Sequence, residues 1–156
     1  MEGYRPIPFA AWSFSGMPCH VLLCKKEGGR MIDIFRGIQR DLDGAAHLQR
    51  LGRLFSETVL IEVDGREFYL TFDKGRIEAV VEGPSRKTPW RFALRTDAEA
   101  LGKFWEPRPA PGFHDIFGLV KTGRGRIDGD ILTLVKNLRF FKEVLALARR
   151  SEEVPE

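Results

Sequence analysis

Histidines are the side chains through which this sequence could most readily carry out acid–base chemistry, and there are three: His20, His47 and His114. A catalytic site needs a nucleophile or an acid–base pair held within hydrogen-bonding reach, and histidine is its usual member near neutral pH. Only His114 lies in a segment that could line a cleft, and a surface or packing role is commoner for such a residue. The sequence therefore predicts a protein that is not an enzyme.

Metal-binding and cofactor-binding motifs are incomplete. Cys19, His20 and Cys24 stand close together, but no second CxxC or HxxxH pattern completes a coordination shell. The segment 123–125 reads Gly-Arg-Gly without the Gly-Lys-Ser/Thr of a phosphate-binding loop, and a dinucleotide-binding fingerprint is missing from the sequence. We expect no metal and no cofactor. Two cysteines are also too few for a disulfide framework, which favours free thiols in the cytoplasm.

One pair of carboxylates, Asp128 and Asp130, brackets a glycine, and such pairs can do acid–base work. Asp130, however, directly precedes a long apolar-periodic segment. An aspartate at that place caps the free amides of a helix and favours the positive end of its dipole. We therefore interpret the pair as structural.

Composition is that of an ordinary globular protein, with 43% hydrophobic and 30% charged residues in 156 positions. This length suits one domain, residues 31–150, which we expect to follow an N-terminal arm (1–30) and to precede an acidic tail (151–156). The net charge of +3 is too small for nucleic-acid binding. Residues 107–150 hold nine basic and four acidic side chains, which allows weak peripheral membrane contact at most.

Hydrophobic periodicity predicts the first elements. Apolar residues recur every three or four positions over 31–55, which indicates a helix, bent near Gly44. The period becomes two over 59–63 and 68–72, on either side of Asp64-Gly65, which is typical of a hairpin. Two more alternating runs, at 77–81 and 90–94, predict a four-stranded meander.

The second half alternates short elements with turns. Thr96 and Glu99 are spaced as a capping box, which predicts a short helix ending near Trp105. Prolines make 106–112 an extended link, and 113–120 is an aromatic turn or short helix. A strand over 123–130 then precedes a final helix whose apolar arc exceeds the roughly 100° that a surface helix needs. The excess must be covered by more protein, a partner or a ligand.

This ordered set of elements resembles the sterol carrier protein 2 family over about residues 31–149. The most specific likeness is the segment 123–130, Gly-Arg-Gly-Arg-Ile-Asp-Gly-Asp, followed by Leu132, Leu134 and Leu138. The hairpin at 63–75 and the Thr96-Asp97 helix start support it. The resemblance implies an α+β fold: a five-stranded, mostly antiparallel sheet covered by helices. It also implies an internal tunnel that binds sterols, fatty acids, acyl-CoA or isoprenoid and quinone-type lipids without covalent chemistry.

Two sets of residues are the candidates for this ligand site. We expect the first set to form the apolar wall: Phe104, Trp105, Phe113, Ile116, Phe117, Leu119, Leu134, Leu138, Phe141 and Leu145. We expect the second set to meet a polar head at the mouth: Arg108, His114 and Lys121. The same aromatic residues could instead close a solid core.

Two other functions remain open at this stage. A protein-interaction or scaffolding subunit, in lipid or quinone metabolism for example, would cover the apolar helix and the arm with a partner or a second copy. A small enzyme acting on a hydrophobic substrate would need His114 and a carboxylate to converge.

Overall fold

A computed structural model describes the backbone of residues 19–151 and the side chains of residues 31–149. The predicted arm before Cys19, the predicted metal ligands Cys19, His20 and Cys24 and the acidic tail after Ser151 lie outside those described ranges in whole or in their side chains. Helices and strands follow in the order α1 (Cys19–Gly44), α2 (Ala46–Leu51), β1 (Thr58–Val63), β2 (Arg66–Asp73), β3 (Arg76–Glu82), β4 (Phe92–Thr96), α3 (Ala98–Trp105), α4 (Ile116–Lys121), β5 (Gly125–Gly129), α5 (Ile131–Lys136), α6 (Leu138–Ala146) and α7 (Ala148–Ser151).

The five strands form one mixed sheet in the order β3-β2-β1-β4-β5. Neighbours pair antiparallel except β1 and β4, which run parallel with Val59 opposite Phe92. The α+β class and the mostly antiparallel sheet are therefore confirmed. The four-stranded meander is wrong, because the chain after β3 crosses β2 and β1 before it pairs as β4. Alternation of apolar residues shows that a segment is a strand but does not show which neighbour it joins.

Tight turns connect the first three strands. Asp64 and Gly65 have φ values of 50° and 78°, as the predicted hairpin turn requires. Lys74 and Gly75 repeat this geometry between β2 and β3, with φ values of 48° and 79°. A Cβ atom on Gly75 would lie 2.8 Å from the backbone carbonyl carbon of Gly52, so glycine is also required there by the close approach of the loop after α2.

One face of the sheet and the helices enclose the hydrophobic core. Alternate residues of β1, β2 and β4 point into it, and rings from strands and helices meet there at angles of 43° to 85°. The ring cluster consists of Phe55, Phe72, Phe92, Phe140 and Phe141. Among the described side chains, none of the buried ones is polar or charged.

The opposite face of the sheet has its own small apolar cluster of Leu60, Tyr69 and Ala93. The loop between β3 and β4 packs on it, since a Cβ atom on Gly83 would lie 2.7 Å from the Tyr69 ring and the Tyr69 hydroxyl donates to the Ser85 carbonyl at 3.2 Å. The crossover loop thus covers part of the face that carries no helix.

Both edge strands are protected. The Gln39 amide of α1 donates to the Ile77 carbonyl of β3 at 2.8 Å, and α4 packs beside β5. An exposed edge would offer free backbone groups to another strand, and these contacts reduce that hazard.

The end of the chain differs from the single long helix that the sequence indicated. Asn137, with φ −112° and ψ 15°, interrupts it, and the Asn137 side-chain amide donates to the Thr133 carbonyl at 2.9 Å. α5 leaves three aliphatic residues exposed, whereas α6 buries both of its apolar stripes and contacts α1 and α2 as well as α5. The wide apolar arc is thus largely covered by protein.

The start of α1 also differs from the expectation, because its backbone is helical from Cys19, within the segment predicted as an arm. The division of the chain into arm, domain and tail stays a prediction. Among the helices that the structure describes, none is both long and apolar enough to span a bilayer.

Candidate functional site

Most of the predicted apolar wall lies in the protein interior. Six members belong to the main core cluster: Phe104, Trp105, Ile116, Leu134, Phe141 and Leu145. Leu119 is also buried, Leu138 packs partly on the core, and Phe113 is half-buried. Phe117 is the most exposed member, at 36%. The structure therefore brings the helices α3, α5 and α6 together as expected and leaves the aromatic α4 at the rim.

The centre of the wall is held by a buried hydrogen bond. The indole Nε1 of Trp105 donates to the carbonyl of Leu145 at 3.0 Å, which joins the end of α3 to the end of α6. The Trp105 ring also meets the Phe35 ring edge-on, with 6.2 Å between ring centroids. Tryptophan can be buried at low cost only where its N–H finds an acceptor, so this contact fixes the orientation of the indole.

The predicted polar mouth is exposed. The side chains of Arg108, His114 and Lys121 all face solvent, and the structure gives none of them a side-chain partner among the described residues. Their assignment to a ligand head group stays a prediction.

Arg149 is the polar residue that sequence reasoning missed beside this site. Its Nε donates to the Phe104 carbonyl at 2.5 Å, its Nη2 donates to the His114 carbonyl at 3.3 Å, and its guanidinium carbon lies 4.4 Å from the centre of the Phe104 ring. Partial burial lowers the pKa of Arg149 from its ordinary value. An arginine at the end of an apolar helix was the available signal, because its donors can satisfy carbonyls at other helix ends.

Two pockets lie outside the predicted wall. One, of about 250 Å³, lies between α2 and the helices α6 and α7 and is lined by His47, Leu48, Glu143, Ala146, Leu147 and Arg149. The other, of about 320 Å³, lies at one end of the sheet and is lined by Ser56, Glu57, Thr58, Thr71, Phe72, Pro89, Trp90 and Arg91. Each combines polar with apolar lining residues, whereas a lipid tunnel is mainly apolar.

The carboxylates near β5 have structural partners. Asp130 caps α5 by accepting from the Thr133 amide at 3.0 Å, and this hydrogen bond is the main cause of its lowered pKa. Asp128 accepts from Arg95 at 2.7 Å and from Arg126 at 2.8 Å, so its pKa is lowered too, chiefly by the hydrogen bond from Arg95. The interpretation of Asp130 as a cap is confirmed.

A second carboxylate cluster ties β5 to α3. Arg124 donates to both oxygens of Asp97, at 2.8 and 2.9 Å, and to Glu99 at 3.0 Å. The hydrogen bond from Arg124 is the main reason that the pKa of Asp97 is lowered. Asp97, rather than the predicted Thr96, caps α3 by accepting from the Ala100 amide at 2.8 Å. Thr96 was a wrong choice because its hydroxyl donates to the Arg124 carbonyl instead.

Metal-binding geometry is missing from the described side chains, where no group of three or more His, Cys, Asp and Glu residues could hold an ion.

Comparison with known proteins identifies the fold. No family model and no curated protein sequence matches this chain. The crystal structure of sterol carrier protein 2 aligns with it at a TM-score of 0.61 and 14% identity, over 75% of this chain and 94% of that one. A conserved hypothetical protein from Thermus thermophilus, suggested to be a sterol carrier protein, aligns at a TM-score of 0.58 and 14% identity, over 73% and 82% of the two chains.

A third structure agrees with these two. Sterol carrier protein 2 from Yarrowia lipolytica, in its apo form, aligns at a TM-score of 0.50 and 16% identity, over 76% of this chain and 89% of that one. The described domain is thus an α+β domain with a mixed, helix-covered sheet. Its fold is that of sterol carrier protein 2, as the ordered motifs of the sequence indicated.

Proposed function

We propose that the protein binds a hydrophobic small molecule between its sheet and its helices and carries it without covalent chemistry. The ligand would be a fatty acid, an acyl-CoA, a sterol or an isoprenoid or quinone-type lipid. The observation that carries this proposal is the fold, which aligns with nearly the whole length of proteins named sterol carriers.

The chemistry of the interior supports an apolar ligand. The residues shared by the predicted wall and the core cluster come from α3, α4, α5 and α6, and the buried side chains among those described are all apolar or aromatic. Such a surface can bind only through area removed from water, about 25 cal/mol per Å² before the costs of binding.

Entry of a ligand requires the helices to separate from the sheet, because Phe104 and Phe141 are fully buried and packed against other residues. Ten methylenes transferred from water would contribute roughly 8 kcal/mol, at about 0.8 kcal/mol each. That gain is of the size needed to replace packing contacts between two layers. Binding would therefore select an expanded state of the domain.

Arg149 is the contact that this expansion must release. It joins the end of the chain to the carbonyls of Phe104 and His114, which belong to two of the segments that carry the predicted wall. We expect Arg149→Met, which keeps an unbranched apolar stem but loses the donors, to accelerate uptake of a fluorescent fatty acid severalfold.

A matched control is available on α6. Arg139 is exposed and pairs with Glu143 on its own helix at 3.0 Å, so Arg139→Met should leave the uptake rate unchanged. Stopped-flow fluorescence gives the rates, and circular dichroism shows whether each variant is folded. Equal rates for both variants would remove Arg149 from the entry path.

The ligand itself is tested by native mass spectrometry of protein purified from its own cells, followed by organic extraction. A copurified lipid would support carriage, and its mass would give its class. The proposal fails if the folded protein copurifies with no lipid and shows no saturable binding of fluorescent fatty acid, acyl-CoA or sterol probes.

A further inference from the structure

The second surface of interest lies on α5, the six-residue helix after β5. We define the α5 surface as Trp90, Ile131, Leu132, Val135 and Lys136. The apolar members are exposed at 36%, 48%, 62% and 50% in that order, and Lys136 is exposed as well. Single exposed apolar residues are ordinary, whereas a contiguous group marks a contact surface.

The helical members of this surface are contiguous. At about 100° per residue, Ile131, Val135, Leu132 and Lys136 follow one another over an arc of roughly 140°. Leu134, on the other side of the helix, is fully buried in the core. α5 thus has a normal inward face and, in addition, an aliphatic outward face that ends in a lysine.

Trp90 extends the surface beyond the helix. A Cβ atom on Gly129 would lie 2.8 Å from the Trp90 ring, so the indole rests on the residue before the cap of α5. The Arg91 Nε lies 3.1 Å from Asp130 and the Asp130 amide donates to the Arg91 carbonyl at 3.0 Å, which holds the two segments together.

Charge decides which partner fits. Residues 131–142 contain Lys136, Arg139 and Lys142 and no acidic residue. The carboxylates at either end of this segment are already engaged, Asp130 by the first turn of α5 and by Arg91, and Glu143 by Arg139. An exposed tryptophan, three aliphatic side chains and a flexible lysine are the residues that proteins place at the boundary between acyl chains and anionic head groups.

We propose that the α5 surface docks the protein on a membrane surface that contains anionic phospholipid. The aliphatic residues and the Trp90 indole enter the interfacial layer, and Lys136 with its basic neighbours meets the phosphates. This inference goes beyond the proposed ligand and does not depend on it, because vesicle binding is measured without any lipid transfer.

The test is co-sedimentation of the full chain with vesicles of phosphatidylcholine, alone or with about 30% phosphatidylglycerol, which supplies the anionic charge. We expect binding to the anionic vesicles and weaker binding to the neutral ones. The double variant Leu132→Glu/Val135→Glu should lower the partition constant at least tenfold, because each exposed aliphatic side chain that enters the interface contributes about a power of ten.

Val81→Glu is the matched control. Val81 is 49% exposed, nearly the same as Val135, but it lies on β3, at the sheet edge opposite β5. It should bind as the unaltered protein does. Lys136→Gln should reduce binding to anionic vesicles severalfold and leave binding to neutral vesicles unchanged.

Three results would overturn the proposal. They are normal vesicle binding by the folded double variant, an equal loss of binding in Val81→Glu, and light scattering that shows a dimer which the double variant dissociates while the unaltered protein ignores vesicles. The last result would assign the surface to a second copy of the chain. Circular dichroism and the thermal midpoint establish that each variant is folded.

Discussion

Phe141→Ala is the substitution that distinguishes a solid core from a ligand wall. Phe141 is fully buried on α6, and its ring meets Phe92 edge-on with 5.3 Å between centroids and Phe72 with 6.5 Å. It also belongs to the predicted apolar wall. In the packed state that the structure describes, deletion of this ring leaves a void that its neighbours can only partly fill.

The expected cost follows from that packing. Truncation of a buried phenylalanine destabilises a protein by about 3–5 kcal/mol, and two edge contacts place this site in the upper half of the range. A domain of this size is stable by roughly 5–15 kcal/mol, so a large share of the free energy of unfolding is at stake. At about 2–4 °C per kcal/mol, the thermal midpoint should fall by roughly 10 °C or more.

Chemical denaturation in urea measures the change, and Phe117→Ala is its control. Phe117 lies on α4 and is 36% exposed, so its truncation should cost less than about 1 kcal/mol. A fatty acid that binds the folded state at one hundred times its dissociation constant should restore about 2.7 kcal/mol to either variant.

A cost below about 1 kcal/mol for Phe141→Ala, comparable with that of Phe117→Ala, would refute the packing argument. It would mean that the ring already borders an open space in solution. The resting state would then have a formed tunnel rather than a closed interior that a ligand must expand.

Two further outcomes test the polar contacts around the site. Trp105→Phe should lower the free energy of unfolding by about 1–3 kcal/mol, because it leaves a buried carbonyl of α6 without a donor, and no change in the urea midpoint would contradict the hydrogen bond. The lowered pKa of Asp97 means that its ion pair with Arg124 stabilises the fold above the unfolded pKa near 4 and loses this effect as pH falls through the folded value. Asp97→Asn, which retains a good cap, should therefore lose less stability between pH 7 and pH 3 than the unaltered protein, and parallel pH profiles would exclude the pair as a contributor.

Elements set by local chemistry could be predicted from the sequence. The period-two runs around Asp64-Gly65 indicated β1, β2 and the turn between them, since alternation and positive φ are local properties. Asp130 was recognised as the cap of α5 for the same reason. The order of such elements was sufficient to identify the fold, although no single motif was specific.

Pairing and coverage depended on distant parts of the chain. β4 joins β1 in parallel because the crossover loop packs on Tyr69, a contact that no periodicity in 90–94 records. Arg149 was missed because its acceptors lie more than 30 residues away, in Phe104 and His114.

The final helix shows most clearly what the sequence by itself determined. Its residues indicated a broad apolar arc but not what covers that arc. The tertiary structure divided it at Asn137, buried Phe140 and Phe141 in the core, and left Leu132 and Val135 in solvent. Apolar surface has no preferred partner, because the hydrophobic effect is non-directional. Only the packing of the whole chain decides which apolar side chains form the interior and which remain available to a lipid.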